Sequence, residues 1–328
     1  MADTVLVTGG AGFIGSHACK ALASAGFVPV TFDDFSQGHR SAVQWGPIVE
    51  ASLLDPEAIS AALREYRPLA VLHFAGKISV AESVAEPVLY HLHNVEASEN
   101  LLNAMAAAGL DKLVYSSTAA VYGEPQQIPI PERHPTAPTN PYGETKLAVE
   151  RMLSERAESR GLSSVSLRYF NAAGSDPDGE IGEAHDPETH LIPIVLEVAA
   201  GKRDAVHVYG DDYDTPDGTC LRDYVHVSDL AEAHVLALRQ LLTRKENSSA
   251  EAFNLGNGSG YSVLEIVEAA RLVTGKDIPV AASSRRDGDP ARLVANPAHA
   301  KQRLGWAPRY DSLADQIGHA WAWAAKKR

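Results

Sequence analysis

Tyr142 and Lys146 stand four positions apart in the segment Asn140-Pro141-Tyr142-Gly143-Glu144-Thr145-Lys146. Asn140 suits an N-cap and Pro141 the first helical turn, so this segment is expected to open a helix. Residues at i and i+4 share one helix face, which brings the phenol near the ammonium. A lysine cation beside a tyrosine favours the phenolate, and the positive helix N-terminus adds to it. The expected result is a phenol that works as a base near neutral pH, far below its free pKa of about 10. Alone, this pair is common on exposed amphipathic helices. It gains meaning from Ser116-Ser117-Thr118, whose threonine lies 24 positions before Tyr142 at the end of an expected strand.

A second constellation opens the chain. Gly9-Gly10-Ala11-Gly12-Phe13-Ile14-Gly15 follows an apolar strand directly and leads into a helix. Glycines there let the backbone turn tightly and approach a pyrophosphate, whose charge then sits at the helix N-terminus. Asp33 lies 18 positions beyond Gly15, at the end of the second strand, with Asp34 beside it. A carboxylate at that place accepts hydrogen bonds from a ribose 2′-hydroxyl and repels a 2′-phosphate, so NAD is favoured over NADP.

The elements that must position these residues follow from periodicity. Val5–Thr8, Val28–Phe32, Ala70–Phe74, Lys112–Ser116 and Val165–Tyr169 are short, continuous runs expected of strands buried on both faces. Ser16–Ala25, Asp55–Tyr66 and Ala97–Ala108 have helical period between them. The alternation implies an α/β fold, a Rossmann-type doubly wound parallel sheet with ligands at the carboxyl ends of its strands. The pattern breaks over residues 174–190, a polar stretch rich in Gly, Asp and Pro. Residues 1–174 are therefore expected to form the dinucleotide-binding domain. Residues 175–328 are expected to form mainly a smaller substrate lobe, with segments after about 220 returning to the first. Leu191–Ala200, Val227–Leu242 and Val263–Val273 are the expected helices of this half.

Bulk properties exclude several classes. At 328 residues the chain can bury a large core, and its net charge of −13 disfavours nucleic acid or an anionic membrane as main partner. An anionic substrate then needs locally placed arginines. Cys19 and Cys220 have no metal or CxxC spacing and are expected to be buried thiols of a cytoplasmic protein. The N-terminal stretch lacks the form of a signal peptide, and no apolar run reaches the roughly 20 residues that span a bilayer. No metal site is expected. His91-Leu92-His93 lacks a third ligand, and the acidic Asp211–Gly218 segment fails the calcium-loop spacing. Trp306, Trp321 and Trp323 are read as packing residues.

With Thr118, Tyr142 and Lys146 in the places of a Ser/Thr–Tyr–Lys triad, the chain resembles the extended short-chain dehydrogenase/reductases. Within them it is similar over essentially its whole length to the bacterial UDP-glucose 4-epimerases. The resemblance rests on Thr8–Gly15, His73–Gly76, Ser116–Gly123, Tyr142–Lys146, Tyr169–Asn171, Leu191–Pro193, Tyr209–Asp211, Leu221–Val227 and Arg285–Asp289. It implies that NAD contacts Gly9, Gly12, Phe13, Ile14, Gly15, Asp33, Asp34, Gly38, Ser52, Leu53, Phe74, Ala75, Gly76, Asn94, Ser116, Tyr142, Lys146, Tyr169 and Phe170. It implies UDP-sugar contacts at Thr118, Asn171, His190, Leu191, Tyr209, Arg222, Arg286 and Asp289. Tyr142 would take the sugar 4-OH proton while the C4 hydride passes to NAD. The 4-keto sugar would turn over and take the hydride back on its other face. Lys146 would hold the nicotinamide ribose and lower the Tyr142 pKa, and Thr118 would hydrogen-bond the reacting oxygen.

The chain departs from the family pattern at four positions. Ser52 replaces a frequent aspartate, Lys77 stands one place early, and His190 replaces an asparagine. Leu293 is smaller than the tyrosine some relatives carry, which makes room for an N-acetyl group; because C4 chemistry is indifferent to what C5 or C2 carries, UDP-N-acetylglucosamine and UDP-xylose/UDP-arabinose stand as alternative substrates. Ala119-Ala120 after Thr118 lacks the acid/base pair of the dehydratases. A non-catalytic NAD-sensing regulator should lack the tyrosine or the lysine. The resemblance also implies a homodimer through helices around residues 90–108 and 142–158.

Overall fold

The computed structural model describes residues 3–244, 248–286 and 288–326; Asp287 of the Arg285–Asp289 motif lies outside them. Six strands of the first half are Thr4–Thr8 (β1), Val28–Asp33 (β2), Ile48–Glu50 (β3), Ala70–His73 (β4), Lys112–Thr118 (β5) and Ser163–Tyr169 (β6). The remaining strands are Asn171–Ala173 (β7), Val206–Tyr209 (β8), Leu221–Arg222 (β9), Tyr224–His226 (β10), Ala250–Leu255 (β11), Tyr261–Ser262 (β12), Val280–Ser283 (β13) and Arg292–Leu293 (β14). The helices are Phe13–Ser24 (α1), Pro56–Tyr66 (α2), Val80–Ala85 (α3), Pro87–Tyr90 (α4), Ala97–Ala107 (α5) and Pro141–Arg160 (α6) in the first half. Leu191–Ala199 (α7), Val227–Thr243 (α8), Val263–Thr274 (α9), Ala298–Leu304 (α10) and Leu313–Lys326 (α11) follow.

A seven-stranded sheet runs in the order β11-β6-β5-β4-β1-β2-β3. All its pairings are parallel. Strand order reverses between β1 and β4, and the crevice at such a switch point is where an open α/β sheet binds its ligand. Val5 and Val7 of β1 belong to one core with Ala18 and Leu22 of α1 and Leu230, Ala237 and Leu241 of α8. Leu6, between them, faces the opposite core with Ile59 of α2, Leu101 of α5 and Val149 of α6. Alternation of side chains along a strand produces these two layers, and helices cover both faces.

The second lobe has its own core of α7, α9 and α11, centred on Val195, Ile266 and Ile317. Ser262 starts α9 with a complete capping box to Glu265, and Asp55 caps α2 through the N–H groups of Glu57 and Ala58. Helix α8 and strand β11 return to the large sheet after the chain has entered this lobe.

The second half differs from the sequence expectation by more than boundaries. Its expected loops contain strands of two to four residues, paired as β10-β7, β13-β8 and β12-β9-β14. Runs that short carry no periodicity, and distant partners create them. Among the described residues no helix is long and apolar enough to cross a membrane.

Candidate active site

Thr118 is the last residue of β5, at the carboxyl edge of the sheet. Its Oγ accepts the Ala120 N–H at 3.1 Å, and its hydroxyl hydrogen-bonds the Tyr142 phenol. Asn140 caps α6 by accepting the Gly143 N–H at 2.9 Å, as the sequence indicates, and so sets Tyr142 and Lys146 in the first turns. Lys146 is buried, donates to the Ser116 carbonyl at 3.0 Å, and lies 5.9 Å from the Tyr142 ring centre.

One expectation needs correction. Burial pushes the Tyr142 phenol up to about 12, with the Thr118 hydrogen bond working against it. Burial likewise pulls the Lys146 ammonium down to about 8. Both groups leave water, and burial works against the charged form of each. A positive charge bound beside the phenol would favour its phenolate.

A buried polar network, absent from the sequence reading, holds α6 on the sheet. Arg168 of β6 forms a two-pronged pair with Glu150 of α6, Nε to Oε1 at 2.9 Å and Nη2 to Oε2 at 2.5 Å. Glu150 also accepts from Ser117 at 2.6 Å, and Arg168 donates to Tyr122, whose hydroxyl reaches Asn254 of β11. Its only signal in the sequence is an arginine inside an otherwise strand-like run.

On the dinucleotide side, Gly12 begins α1 with no side-chain cap, and that helix end opens on the cavity. A Cβ at Gly15 would lie 2.1 Å from the Gly9 carbonyl oxygen, so only glycine lets α1 approach β1 this closely. Asp33 accepts the N–H groups of Ala11 and Phe35, each at 2.9 Å, which fixes its carboxylate at the mouth of the turn. Asp34 is exposed and accepts from Ser36. Backbone at the glycine turn and a fixed acid beside it fit an NAD molecule. His73 bridges β1 and α5, hydrogen-bonding Thr8 at 2.6 Å and Ser98 at 2.9 Å; burial holds it near pKa 3, so it is neutral.

Facing this wall, the second lobe brings the expected arginines together. Arg222 pairs with Asp289, and the Arg286 guanidinium lies 3.9 Å from the Tyr209 ring centre. Asp223 is a structural pin: it accepts the N–H groups of Asn257, Gly258 and Ala295. His190 stands at the N-cap of α7, but its ring meets Glu188 at 2.8 Å and caps nothing. Ser52 accepts the Leu54 N–H, and Lys77 reaches Glu82 at 3.3 Å.

One cavity of about 1290 Å³ joins both walls. It is lined by Gly9, Gly12, Phe13, Ile14, Gly15, Asp33, Asp34, Gly38, Ser52, Leu53, Phe74, Ala75, Gly76 and Ser116. It continues past Thr118, Tyr142, Lys146, Tyr169, Phe170, Asn171, His190 and Leu191 to Tyr209, Arg222, Arg286, Asp289 and Leu293. Asn94 is the exception among the expected contacts. It is buried behind the wall, accepts the Lys77 N–H at 2.7 Å and donates to Thr145 at 3.0 Å, so it shapes the Gly76–Lys77 turn from outside the cavity. Glu183, His185 and Glu188 also line the cavity and formed no part of the sequence reading. Cys19 and Cys220 are free and buried as expected. Residues His91–Glu96 form a π-helical turn, with His91 near Glu96. In the acidic segment, Asp212 pairs with Arg285 and Asp217 holds Thr219 and Ser262.

Residues 5–256 match the model of the NAD dependent epimerase/dehydratase family. A UDP-glucose 4-epimerase of Rhizobium leguminosarum bv. trifolii is 49% identical over 324 residues, covering 99% of this chain and 98% of that protein. The crystal structure of UDP-glucose 4-epimerase from Brucella ovis in complex with NAD superposes with a TM-score of 0.95 at 49% identity, covering 98% of each chain. A UDP-glucose-4-epimerase from Stenotrophomonas maltophila, solved with bound NAD and formylated UDP-arabinopyranose, gives a TM-score of 0.95 at 41% identity, covering 100% of this chain and 99% of that one.

Proposed function

The chain belongs to the NAD dependent epimerase/dehydratase family, and from that premise we propose how its residues perform the reaction. It interconverts UDP-glucose and UDP-galactose in an NAD-dependent reaction at sugar C4. The observation that supports the residue assignment is that Thr118, Tyr142 and Lys146 line the same cavity as the glycine turn and Arg222 and Arg286.

NAD, held by the glycine turn, Asp33 and Lys146, supplies reversible two-electron acceptance when bound. Tyr142 takes the proton of the 4-hydroxyl as the C4–H bond breaks, and the sugar becomes a 4-ketone. Thr118 holds the reacting oxygen by a hydrogen bond. The ketone turns over inside the cavity, and Tyr142 returns the proton when C4 is reduced on its opposite face. The sugar ends at the oxidation state it began with, so the cofactor is not consumed. Arg222 and Arg286, whose planar donor forks match phosphate oxygens, clamp the diphosphate. The diphosphate then competes with Asp289 for Arg222. Asn171, His190, Leu191 and Tyr209 complete the UDP contacts. In domain terms, residues 1–174 hold the dinucleotide and 175–328 mainly the UDP-sugar.

Leu293, in the cavity wall, favours a second reading in which the pocket also takes N-acetyl sugars, and C4 chemistry indifferent to C5 keeps UDP-xylose and UDP-arabinose beside them. A second copy of the chain is assigned to the helices around 90–108 and 142–158, beside which Val88 is 81% exposed. A purely monomeric sedimentation profile would remove that assignment. The two free thiols support a cytoplasmic setting.

The test mixes purified protein with UDP-galactose and no added NAD. UDP-glucose should appear, with a stoichiometric NAD recoverable from the denatured protein. Folded, NAD-loaded protein that leaves UDP-galactose unchanged but turns over another UDP-sugar would move the assignment to that substrate.

A further inference from the structure

Among the described residues two acidic or mixed clusters gather, and they differ in kind; the second lines the cavity and shares His190 with the proposed UDP contacts. Asp176, Asp178 and Glu180 are all oxygen donors, and the Lys20 ammonium already sits among them at 2.7–2.8 Å. That group has its cation. The second cluster is Glu183, His185, Glu188 and His190, gathered from eight consecutive residues of the loop that leads into α7. One donor atom from each of the four lies within 4.8 Å of all the others.

From this juxtaposition we propose that Glu183, His185, Glu188 and His190 form a binding site for a first-row divalent cation of the zinc type, built into the cavity wall. Imidazole nitrogens with carboxylate oxygens suit zinc and its neighbours, whereas calcium and magnesium take oxygen alone. The two carboxylates supply two negative charges, which a divalent ion cancels. The carboxylates are little exposed, 10% for Glu183 and 6% for Glu188, so that cancellation acts where charge is poorly solvated.

The donors are already oriented. His185 Nδ1 meets Glu183 Oε1 at 2.5 Å, His190 Nδ1 meets Glu188 Oε1 at 2.8 Å, and the two rings lie 5.4 Å apart. Backbone N–H groups of Ala184 and His185 hold Glu183, and those of Thr189 and His190 hold Glu188. Metal-ligating carboxylates commonly have such outer support. A tetrahedral ion with bonds near 2.1 Å needs donors about 3.4 Å apart, so each Glu–His contact opens by under about 1 Å as the ion enters. The occupied site would tie His190, and with it the start of α7, to residues 183–188 and so stiffen that wall of the cavity.

Metal uptake is read without substrate, so the test is separate from the epimerase reading. Untagged protein, with the NAD it retains, is stripped with chelator and dialysed against Zn²⁺ alone or Co²⁺ alone. The expected results are one zinc per chain by atomic spectroscopy and the intense visible bands of four-coordinate cobalt. His185→Ala and Glu188→Gln should each weaken retention by roughly tenfold or more. The double change at His91 and His93 to Ala should leave it unchanged. The faint spectrum of hydrated cobalt in the unaltered protein overturns the site, whatever the variants do. Equal zinc uptake by a folded His185→Ala chain overturns it as well.

Discussion

Tyr142 at about 12 and Lys146 at about 8 show two groups whose charged forms are both costly where they sit. Replacing Tyr142 with Phe removes the only proposed proton carrier and keeps the ring. Turnover should fall by about 10²–10⁴-fold while NAD content, measured on the denatured protein, stays at the unaltered level. An unchanged rate would refute the assigned base. Lys146 also predicts a pH effect on stability in NAD-stripped protein. Its folded pKa lies below the unfolded value of 10.5, so between about pH 8 and 10.5 the unfolded chain binds more protons. Stability contributed by this residue must therefore rise with pH across that window, by up to about 3 kcal/mol. Urea unfolding of Lys146→Met against the parent should show that rise in the parent alone. At this scale the sequence was informative where chemistry demands particular residues at short spacing, as in the tyrosine–lysine pair and the glycine turn. It was silent about Glu150 with Arg168, whose pairing exists only after strands pair, and it gave Asn94 as an NAD contact by resemblance rather than as the brace of the Gly76–Lys77 turn.

At the scale of elements, the Glu150–Arg168 pair fastens the helix that bears the base to the strand beside Thr118. Arg168→Leu leaves a buried carboxylate without its counter-charge and should lower unfolding free energy by about 3–5 kcal/mol in urea titrations. A loss below about 1 kcal/mol would mean that packing alone holds α6. Long elements were legible: α1, α2, α5 and α6 and the apolar strands are found within a few residues of their expected ends. The first-half alternation was enough to indicate a doubly wound sheet. Strands such as Leu221–Arg222 and Arg292–Leu293 were not legible, because two residues hold no pattern and their pairing partner fixes them from afar. The expected arginine wall came from the family resemblance, and the short strand Leu221–Arg222 is what positions Arg222 in it.

For the molecule as a whole, the large sheet is completed late. Residues 1–174 expressed alone should collect in the pellet and retain no NAD, because they lack α8 against α1 and β11 beside β6. A soluble fragment that unfolds cooperatively and carries NAD would contradict this. The same feature constrains birth on the ribosome. A nascent chain that has delivered β6 still exposes one apolar face and one strand edge until residue 255 has left the exit tunnel. Synthesis at about 5–20 residues per second makes that interval several seconds long. During it, the unfinished sheet is exposed to chaperones and to neighbouring nascent chains, so slowing elongation between β6 and β11 should lower soluble yield more than slowing it after β11.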